Sequence, residues 1–149
     1  MTKSYKSAQY ESLIKQARAV MEGEPDELAN QANIVALLHR TFEFWWTGFY
    51  RVVGDELVLG PFQGPVACTR IGHGKGVCGS AWKRKETIVV PNVHQFEGHI
   101  ACSAESCSEI VVPVIKNGEV THVLDIDSST YNTFDHEDKT YLEELVNLI

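Results

Sequence analysis

The dipeptide Asn117-Gly118 constrains the fold of this chain more than any other short feature of the sequence. Asn-Gly pairs favour the two-residue turns that join neighbouring antiparallel strands. The segments 109–115 and 119–127 on either side are rich in the β-branched residues typical of strands. The sequence therefore predicts an antiparallel hairpin over 109–127.

A second hairpin is predicted around Gly54-Asp55, and the sequence between and around the two hairpins favours helices. The strands of this hairpin are expected over 46–53 and 56–62, with Gly60 and Pro61 weakening the end of the second one. Two helices are predicted before the first hairpin: one over 8–21, and one that has Pro25 in its first turn and continues to Phe42. A short helix through Ala81 to Lys85 and a strand over 87–90 are predicted between the hairpins. The last predicted helix follows the capping residue Asp135. Hairpins imply antiparallel pairing, so the predicted fold class is α+β rather than a doubly wound parallel sheet.

Length and charge narrow the class of protein. The 149 residues predict a single domain over 1–149, and 44% hydrophobic with 22% charged residues is a common globular composition. The net charge of -7 argues against nucleic acid and against anionic membrane surfaces as partners. No apolar run approaches the roughly 18 residues that span a bilayer, and the polar segment 1–10 lacks the features of a secretory signal. We expect a cytoplasmic protein.

The four cysteines, Cys68, Cys78, Cys102 and Cys107, have different surroundings. In a reducing compartment cysteines are more often catalytic, metal-binding or buried than structural disulfides. Cys78 lies in a glycine-rich segment over 71–79, which we expect to be a loop, and Cys102 lies in the long aperiodic segment 92–108. Accessible thiols in polar loops favour a redox or nucleophilic role, although burial as small apolar residues stays an alternative.

A zinc site is a second interpretation of the same segment. His94, His99, Cys102 and Cys107 are residue types that bind zinc. The pairs are almost contiguous and no C-x2-C motif is present, so we predict no metal.

Three carboxylates are expected to converge at the open end of the 109–127 hairpin. Asp125 and Asp127 alternate along one strand and so share a face, and Glu109 begins the neighbouring strand. Three acids this close repel one another unless a cation or a proton compensates them. This pattern indicates a site for an ammonium group or a shared proton, with a solvated strand end as the alternative.

Trp46 and Tyr50 share a face of the first predicted strand, in an aromatic run over 44–50. Such residues most often belong to a core, but paired aromatic rings can also enclose a small apolar or cationic group.

Several motifs, in this order along the chain, resemble one family. They are WTGFY at 46–50, GPVAC at 64–68, IGHGKGVCG at 71–79, SEIVVPV at 108–114 and VLDIDS at 123–128. Together they resemble the free methionine-(R)-sulfoxide reductases, which are built on a GAF domain with a central antiparallel sheet flanked by helices. The resemblance extends from about residue 46 to the C-terminus.

The resemblance implies a role for each matched position. It places the catalytic cysteine at Cys102, the resolving cysteine at Cys68 and an auxiliary cysteine at Cys78. The implied substrate pocket consists of Trp46, Tyr50, Glu109, Asp125 and Asp127, with Glu109 and Asp127 also catalytic. Two residues depart from the pattern: the extra thiol of Cys107, and His122 where a glycine is more usual.

The implied chemistry needs no metal or organic cofactor. The thiolate of Cys102 attacks the sulfoxide sulfur, an acid protonates the departing oxygen, and a disulfide forms through a sulfenic acid. A thioredoxin-type reductant would restore the thiols. The sequence leaves a homodimer as one possible oligomeric state.

A GAF module that senses a small ligand or nucleotide without turnover is the rival interpretation. Phe134-x3-Asp138 faintly resembles a nucleotide-binding GAF motif, but Lys139 stands where an acid is expected.

Overall fold

A computed structural model of the protein describes residues 3–100 and 104–149. The elements in chain order are α1 (Tyr5–Met21), α2 (Glu27–Phe42), β1 (Trp46–Val53), β2 (Glu56–Gln63), β3 (Arg70–Gly72), α3 (Gly76–Arg84), β4 (Ile88–Val90), a short 3-10 helix (Val93–Gln95), β5 (Ser108–Lys116), β6 (Glu119–Ser128) and α4 (His136–Val146). The predicted α+β class is confirmed by this set of helices and strands.

The strands form one six-stranded sheet in the order β3-β2-β1-β6-β5-β4, and every described pair is antiparallel. Both predicted hairpins are present, as β1–β2 and β5–β6. In the second, Asn117 and Gly118 both have positive φ, 54° and 80°, as a two-residue turn of the primed type requires. The two hairpins meet along β1 and β6, which places the open end of β5–β6 at the centre of the sheet.

Both faces of the central strands are covered. Helices α1, α2 and α4 pack on one face, where the core includes Leu13, Leu38, Phe49, Leu124 and Leu142. Helix α3 and the segment after β4 cover the other face. Side chains that alternate along β5 and β6 are therefore buried whichever way they point. None of the described helices is long and apolar enough to cross a membrane.

The prediction that Pro25 lies in the first turn of α2 is wrong. Asp26 is the N-cap, and its side chain accepts a hydrogen bond from the backbone N–H of Ala29 at 2.9 Å. Pro25 precedes the cap because a carboxylate satisfies an otherwise unpaired helical N–H, which proline cannot do. The predicted cap Asp135 is confirmed and forms a capping box with Asp138.

Strand β2 runs through Gly60 and Pro61 rather than weakening there. A bulge lies between Gly48 and Tyr50, so Phe49 faces two residues of β2 instead of one. A Cβ atom on Gly60 would lie 2.9 Å from the backbone oxygen of Phe49. Because a bulge interrupts the regular ladder, it tolerates a glycine and a proline that a regular strand would not.

Helix α3 packs directly on the end of β3 through Gly79. A Cβ atom at this position would lie 2.3 Å from the backbone oxygen of Gly72 and 3.1 Å from the backbone nitrogen of Gly74. Backbone atoms cannot move aside as a flexible side chain can, so only glycine allows this approach.

We predict that Gly79→Ala lowers the free energy of unfolding by about 1–3 kcal/mol, because the added methyl group overpacks the contact between α3 and β3. Urea denaturation measures the change. Gly72→Ala is the matched control, since its Cβ would meet only the flexible side chain of Lys75, 3.2 Å from Cγ. Equal stability of the two variants would contradict the prediction.

Candidate functional site

Three carboxyl side chains point from the centre of the sheet towards α3. The strand register places Glu109 opposite Asp127, and Asp125 two residues further along β6 on the same face. Glu109 and Asp125 are buried and Asp127 is partly buried, with Ser106 Oγ donating to Asp127 Oδ1 at 3.0 Å. The predicted convergence of the three acids is confirmed in this geometry. The alternative of a solvated strand end does not fit the burial of Glu109 and Asp125.

A bulge in β6 makes this convergence possible. Next to the turn Ile115 faces Val120, but one step further Val114 faces His122, so Thr121 is an extra residue in β6. Residues directly opposite in a sheet share a face, and a one-residue shift reverses the faces. Without the bulge, the register next to the turn would continue and place Glu109 opposite Ile126, on the face that α1, α2 and α4 cover.

The close approach of the acids changes their protonation. Burial, together with the nearby Asp125 and Asp127 carboxyls, raises the pKa of Glu109 well above its ordinary value. Burial and the charge of Asp125 also raise the pKa of Asp127. Burial raises the pKa of Asp125 as well, although hydrogen bonds with Glu109 and Cys78 partly offset this. The cluster therefore retains a proton that isolated carboxyls would lose, and Glu109 is placed to donate it.

The cluster could also hold a cation. Asp125 Oδ1 is buried and lacks a hydrogen-bond partner among the described residues. The Sγ atom of Cys78 and carboxylate oxygens of Glu109 and Asp125 lie within 4.8 Å of one another. Either a metal ion or an ammonium group would offset the mutual repulsion of the acids, so this geometry alone does not distinguish them.

Aromatic rings form a wall of the site beside the acids. Trp46 faces Asp127 across the β1–β6 pair. Its ring stacks on that of Tyr50, with centroids 5.9 Å apart, and on that of Phe62, at 5.3 Å. The predicted shared face of Trp46 and Tyr50 is confirmed. Gly48 makes room for the indole, because a Cβ there would lie 2.6 Å from Cη2 of Trp46.

The polar ends of the two aromatic side chains hold the segment between β2 and β3. The indole N–H of Trp46 donates to the backbone oxygen of Pro65 at 3.0 Å. The hydroxyl of Tyr50 donates to the backbone oxygen of Cys68 at 2.8 Å. The sequence alone did not indicate that the predicted pocket residues and Cys68 are connected in this way.

These groups surround one concave, partly open pocket. Its lining includes Trp46, Tyr50, Val66, Ala67, Ile71, Lys75, Gly76, Val77, Cys78, His99, Ile100, Ser106, Glu109, Asp125 and Asp127. A concave, largely apolar space with a few convergent polar groups is typical of a small-molecule site. All five side chains predicted for the substrate pocket line it.

The cysteines occupy distinct environments. Cys68 is disulfide-bonded, whereas Cys78 and Cys107 are free. Cys107 is half-buried just before β5, where its backbone N–H donates to the oxygen of Ser128 at 2.8 Å. The predicted catalytic residue Cys102 lies outside the described residues.

The expectation that Cys78 lies in an accessible loop is wrong. The glycine-rich segment turns at Gly74 and Gly76, both with positive φ, and α3 then begins at Gly76. Cys78 is thus in the first helical turn and only 3% exposed. Burial, and then the charges of Asp125 and Glu109, raise the pKa of its thiol well above the ordinary value. A thiol in this state is a weak nucleophile.

Sequence reasoning considered His99 only as a zinc ligand, and the structure places it at the pocket. Its Nε2 lies 3.7 Å from Oε1 of Glu109. His94 points elsewhere and contacts the ring of Tyr131, with centroids 6.2 Å apart. The zinc interpretation also requires Cys102, which the described ranges do not include.

The motif that suggested a nucleotide sensor has a packing role. Asp138 is buried, accepts a hydrogen bond from the Tyr10 hydroxyl at 2.6 Å, and pairs with Lys6 at 2.8 Å. Phe134 belongs to the core beneath the three packed helices. These contacts join α1 to α4 and leave Asp138 outside the cavity lined by the acids.

Comparison with known proteins identifies the fold family and confirms the predicted GAF-like fold. Residues 26–149 match the GAF domain family. The chain is 49% identical to GAF domain-containing protein A of Dictyostelium discoideum, over 100% of this chain and 95% of that protein. It is 47% identical to the free methionine-R-sulfoxide reductase of Escherichia coli, over 92% of this chain and 84% of that protein.

A solved structure resembles the whole fold. It is the free methionine-R-sulfoxide reductase of Neisseria meningitidis in complex with its substrate, with a TM-score of 0.95 and 47% identity. The match covers 99% of this chain and 90% of the other.

We predict that Glu109→Gln stabilises the fold at pH 8. The pKa of Glu109 is raised in the folded protein, so the native state binds more protons than the unfolded state and loses stability as pH rises above the unfolded pKa, about 4.3. The neutral amide does not ionise and avoids that loss. Urea unfolding at pH 8 and pH 4 measures the difference, which should disappear at the lower pH.

The exposed Glu86→Gln is the matched control and should leave stability unchanged at both pH values. If Glu109→Gln were less stable than wild type at pH 8, the raised pKa of Glu109 in the folded protein would be contradicted.

Proposed function

This chain belongs to the GAF domain family and, within it, to the free methionine-R-sulfoxide reductases, and from that premise we propose that it reduces free L-methionine-(R)-sulfoxide to methionine. The observation that carries the proposal is the cavity in which three buried or partly buried carboxyls face Trp46, while the Tyr50 hydroxyl in its wall donates to the backbone oxygen of Cys68. An amino acid with an ammonium group and a polarised sulfur–oxygen bond fits both features.

The carboxyls recognise the free amino group in this proposal. Asp125 has a buried oxygen without a partner among the described residues, and the ammonium group would supply the missing donors. Its positive charge would also offset the repulsion between Asp125 and Asp127. The indole of Trp46 packs against the S-methyl group. These contacts favour the free amino acid over a methionine sulfoxide within a peptide.

The first chemical step combines a thiolate and an acid. The Cys102 thiolate attacks the sulfoxide sulfur, and Glu109 donates its proton to the sulfoxide oxygen. The oxygen passes to the Cys102 sulfur, which becomes a sulfenic acid, and methionine leaves with its sulfur reduced by two electrons. The raised pKa of Glu109 supports its role as the donor. Asp127 assists from the opposite strand.

The second step regenerates the thiols. A resolving thiol attacks the sulfenic acid, a disulfide forms, and the oxygen leaves as water. We assign this role to Cys68, whose disulfide-bonded state supports its participation in exchange. Cys78 is the other candidate, but its burial and the raised pKa of its thiol make it a weak nucleophile. Cys107 is dispensable in this scheme.

A thioredoxin-type dithiol reduces the disulfide in each cycle, and a reducing cytoplasm is the compartment that supplies it. The redox-active disulfide is the feature on which this part of the proposal depends. With that external dithiol as the source of electrons, the chain's own thiols and carboxyls complete the cycle in this proposal without a metal or organic cofactor.

A nucleotide-sensing role receives less support. The nucleotide motif includes Asp138, but its carboxylate accepts hydrogen bonds from Tyr10 and Lys6 in the contact between α1 and α4. The acids in the cavity would also repel a phosphate group.

We predict that free methionine-(R)-sulfoxide is turned over, and that its (S) epimer and N-acetyl derivative are much poorer substrates. Acetylation removes the ammonium charge and leaves a buried acid unpaired, which costs about 1–3 kcal/mol, or about 5- to 150-fold in kcat/KM. The measurement is kcat/KM for each compound with a thioredoxin system.

Asp127→Asn should lose activity while folding normally, because an amide is no acid of comparable strength. The exposed Asp55→Asn, in the β1–β2 turn, is the control that should keep wild-type activity. If wild type reduces the free and acetylated compounds equally well, the acids do not recognise an ammonium group.

We predict that Cys68→Ser releases one equivalent of methionine and then stalls, because the first step needs only Cys102 and recycling needs the disulfide. Cys78→Ser should continue over many turnovers with thioredoxin, and Cys102→Ser should release no methionine. Rapid-quench measurement of methionine per enzyme separates the three variants. A stalled Cys78→Ser beside a cycling Cys68→Ser would transfer the resolving role to Cys78.

A further inference from the structure

His99 lies between the buried acid of the pocket and the outside of the molecule. Its Nε2 is 3.7 Å from Oε1 of Glu109, and its side chain is 15% exposed against 7% for Glu109. Both side chains line the same cavity. The imidazole therefore lies beside the buried acid and is the more exposed of the two side chains.

We propose that His99 is a positioning residue that acts through Glu109, by passing protons between solvent and the Glu109 carboxyl. The proposal rests on the proposed function, in which Glu109 gives a proton to the sulfoxide oxygen in every cycle. That proton must be replaced before the next substrate is reduced. Because Glu109 is buried, bulk water does not reach it freely, and the more exposed imidazole beside it supplies a route.

The proton transfer is balanced at each atom. One ring nitrogen of His99 accepts a proton from solvent, and the other gives a proton to Oε1 of Glu109, so one proton moves and no electron does. The 3.7 Å separation is longer than a hydrogen bond, and one bridging water or a small approach of the ring closes it. The ring finishes neutral, in the other tautomer, and rotation or a second exchange resets it.

The surroundings of His99 favour a neutral ring that can take up and release a proton. Burial, and to a smaller extent the charge of His94 from the 3-10 helix, lower the pKa of His99. Glu109 faces it from β5, Asp127 lies beside Glu109 on β6, and Lys75 lines the cavity at the start of α3. A permanently charged imidazolium would instead form an ion pair with Glu109 and keep that acid ionised.

Backbone and neighbouring contacts hold His99 in this position. Its N–H donates to the backbone oxygen of Phe96 at 3.2 Å. The next residue, Ile100, lies close to α3, since a Cβ atom on Gly76 would be 3.2 Å from its Cδ1. These two contacts hold the backbone on both sides of the ring.

The test compares the first equivalent of methionine released by reduced enzyme with steady-state release under saturating thioredoxin, because only the turnovers after the first need a new proton on Glu109. His99→Gln should release the first equivalent at the wild-type rate and then turn over about tenfold or more slowly, with little change in KM. The loss should grow as pH rises, because hydronium becomes scarcer and direct protonation of Glu109 slower. Added imidazole should restore part of the rate in His99→Ala. His136→Gln, at the exposed start of α4 and outside the lining of the cavity, is the matched control and should behave as wild type.

A double variant identifies the route. If His99 acts through Glu109, then His99→Gln combined with Glu109→Gln is no slower than Glu109→Gln alone. If the double variant is slower than Glu109→Gln by the same factor that His99→Gln alone loses, the two residues act independently and the proposal is overturned. A His99→Gln protein with the rate and pH profile of wild type would also overturn it. Circular dichroism checks folding, and His99→Asn replaces His99→Gln in both tests if the latter unfolds. Failure of wild type to release methionine would instead refute the proposed function.

Discussion

The pairing of β5 with β6 depends on one extra residue, Thr121, and the acidic side chains of the pocket depend on that pairing. The register near the turn would place Glu109 opposite Ile126, whereas the bulge places it opposite Asp127. In the first case a carboxyl would enter the apolar core beneath α1, α2 and α4, at a cost of several kcal/mol. The bulge lies close to the turn, so the whole length of β5 towards the pocket follows the shifted register.

The burial of the acids lowers the stability of the folded protein, and the rest of the fold must compensate for this loss. Buried carboxyls raise one another's pKa and weaken the folded state as pH rises. The opposite face of the same strands carries a continuous apolar core, with Ile110, Leu124 and Ile126 fully buried. That core stabilises the sheet strongly enough to hold unfavourable groups on its other face, as functional sites often require.

The aromatic wall is hydrogen-bonded to the segment that contains Cys68. Trp46 and Tyr50 face the cavity with their rings, and their polar ends hold the backbone of Pro65 and Cys68. The disulfide-forming segment is thus attached to the same strand that pairs with the acidic one. In the proposed function, a change in the wall would affect both the fit of the substrate and the position of Cys68, the proposed resolving thiol.

Local chemistry made much of the architecture predictable from the sequence. Asn117-Gly118 specifies its turn because both residues tolerate positive φ, and Asp135 specifies a helix start because its side chain satisfies unpaired N–H groups. Alternation along β6 places Asp125 and Asp127 on one face, and the motifs indicate the family. These signals lie within a few residues of the structure they determine.

Only the tertiary structure decided how these parts combine. A one-residue bulge at Thr121 leaves no local signal, because its benefit comes from what each face of the sheet packs against. Cys78 is buried because Gly79 lets α3 approach β3, and His99 meets Glu109 because the chain returns from β4 across the cavity. The sequence alone determined the turns, the helix caps and the alternation, which depend on neighbours in the chain. The protonation of the acids and the exposure of the thiols depend on groups distant in sequence, and folding alone brings those together.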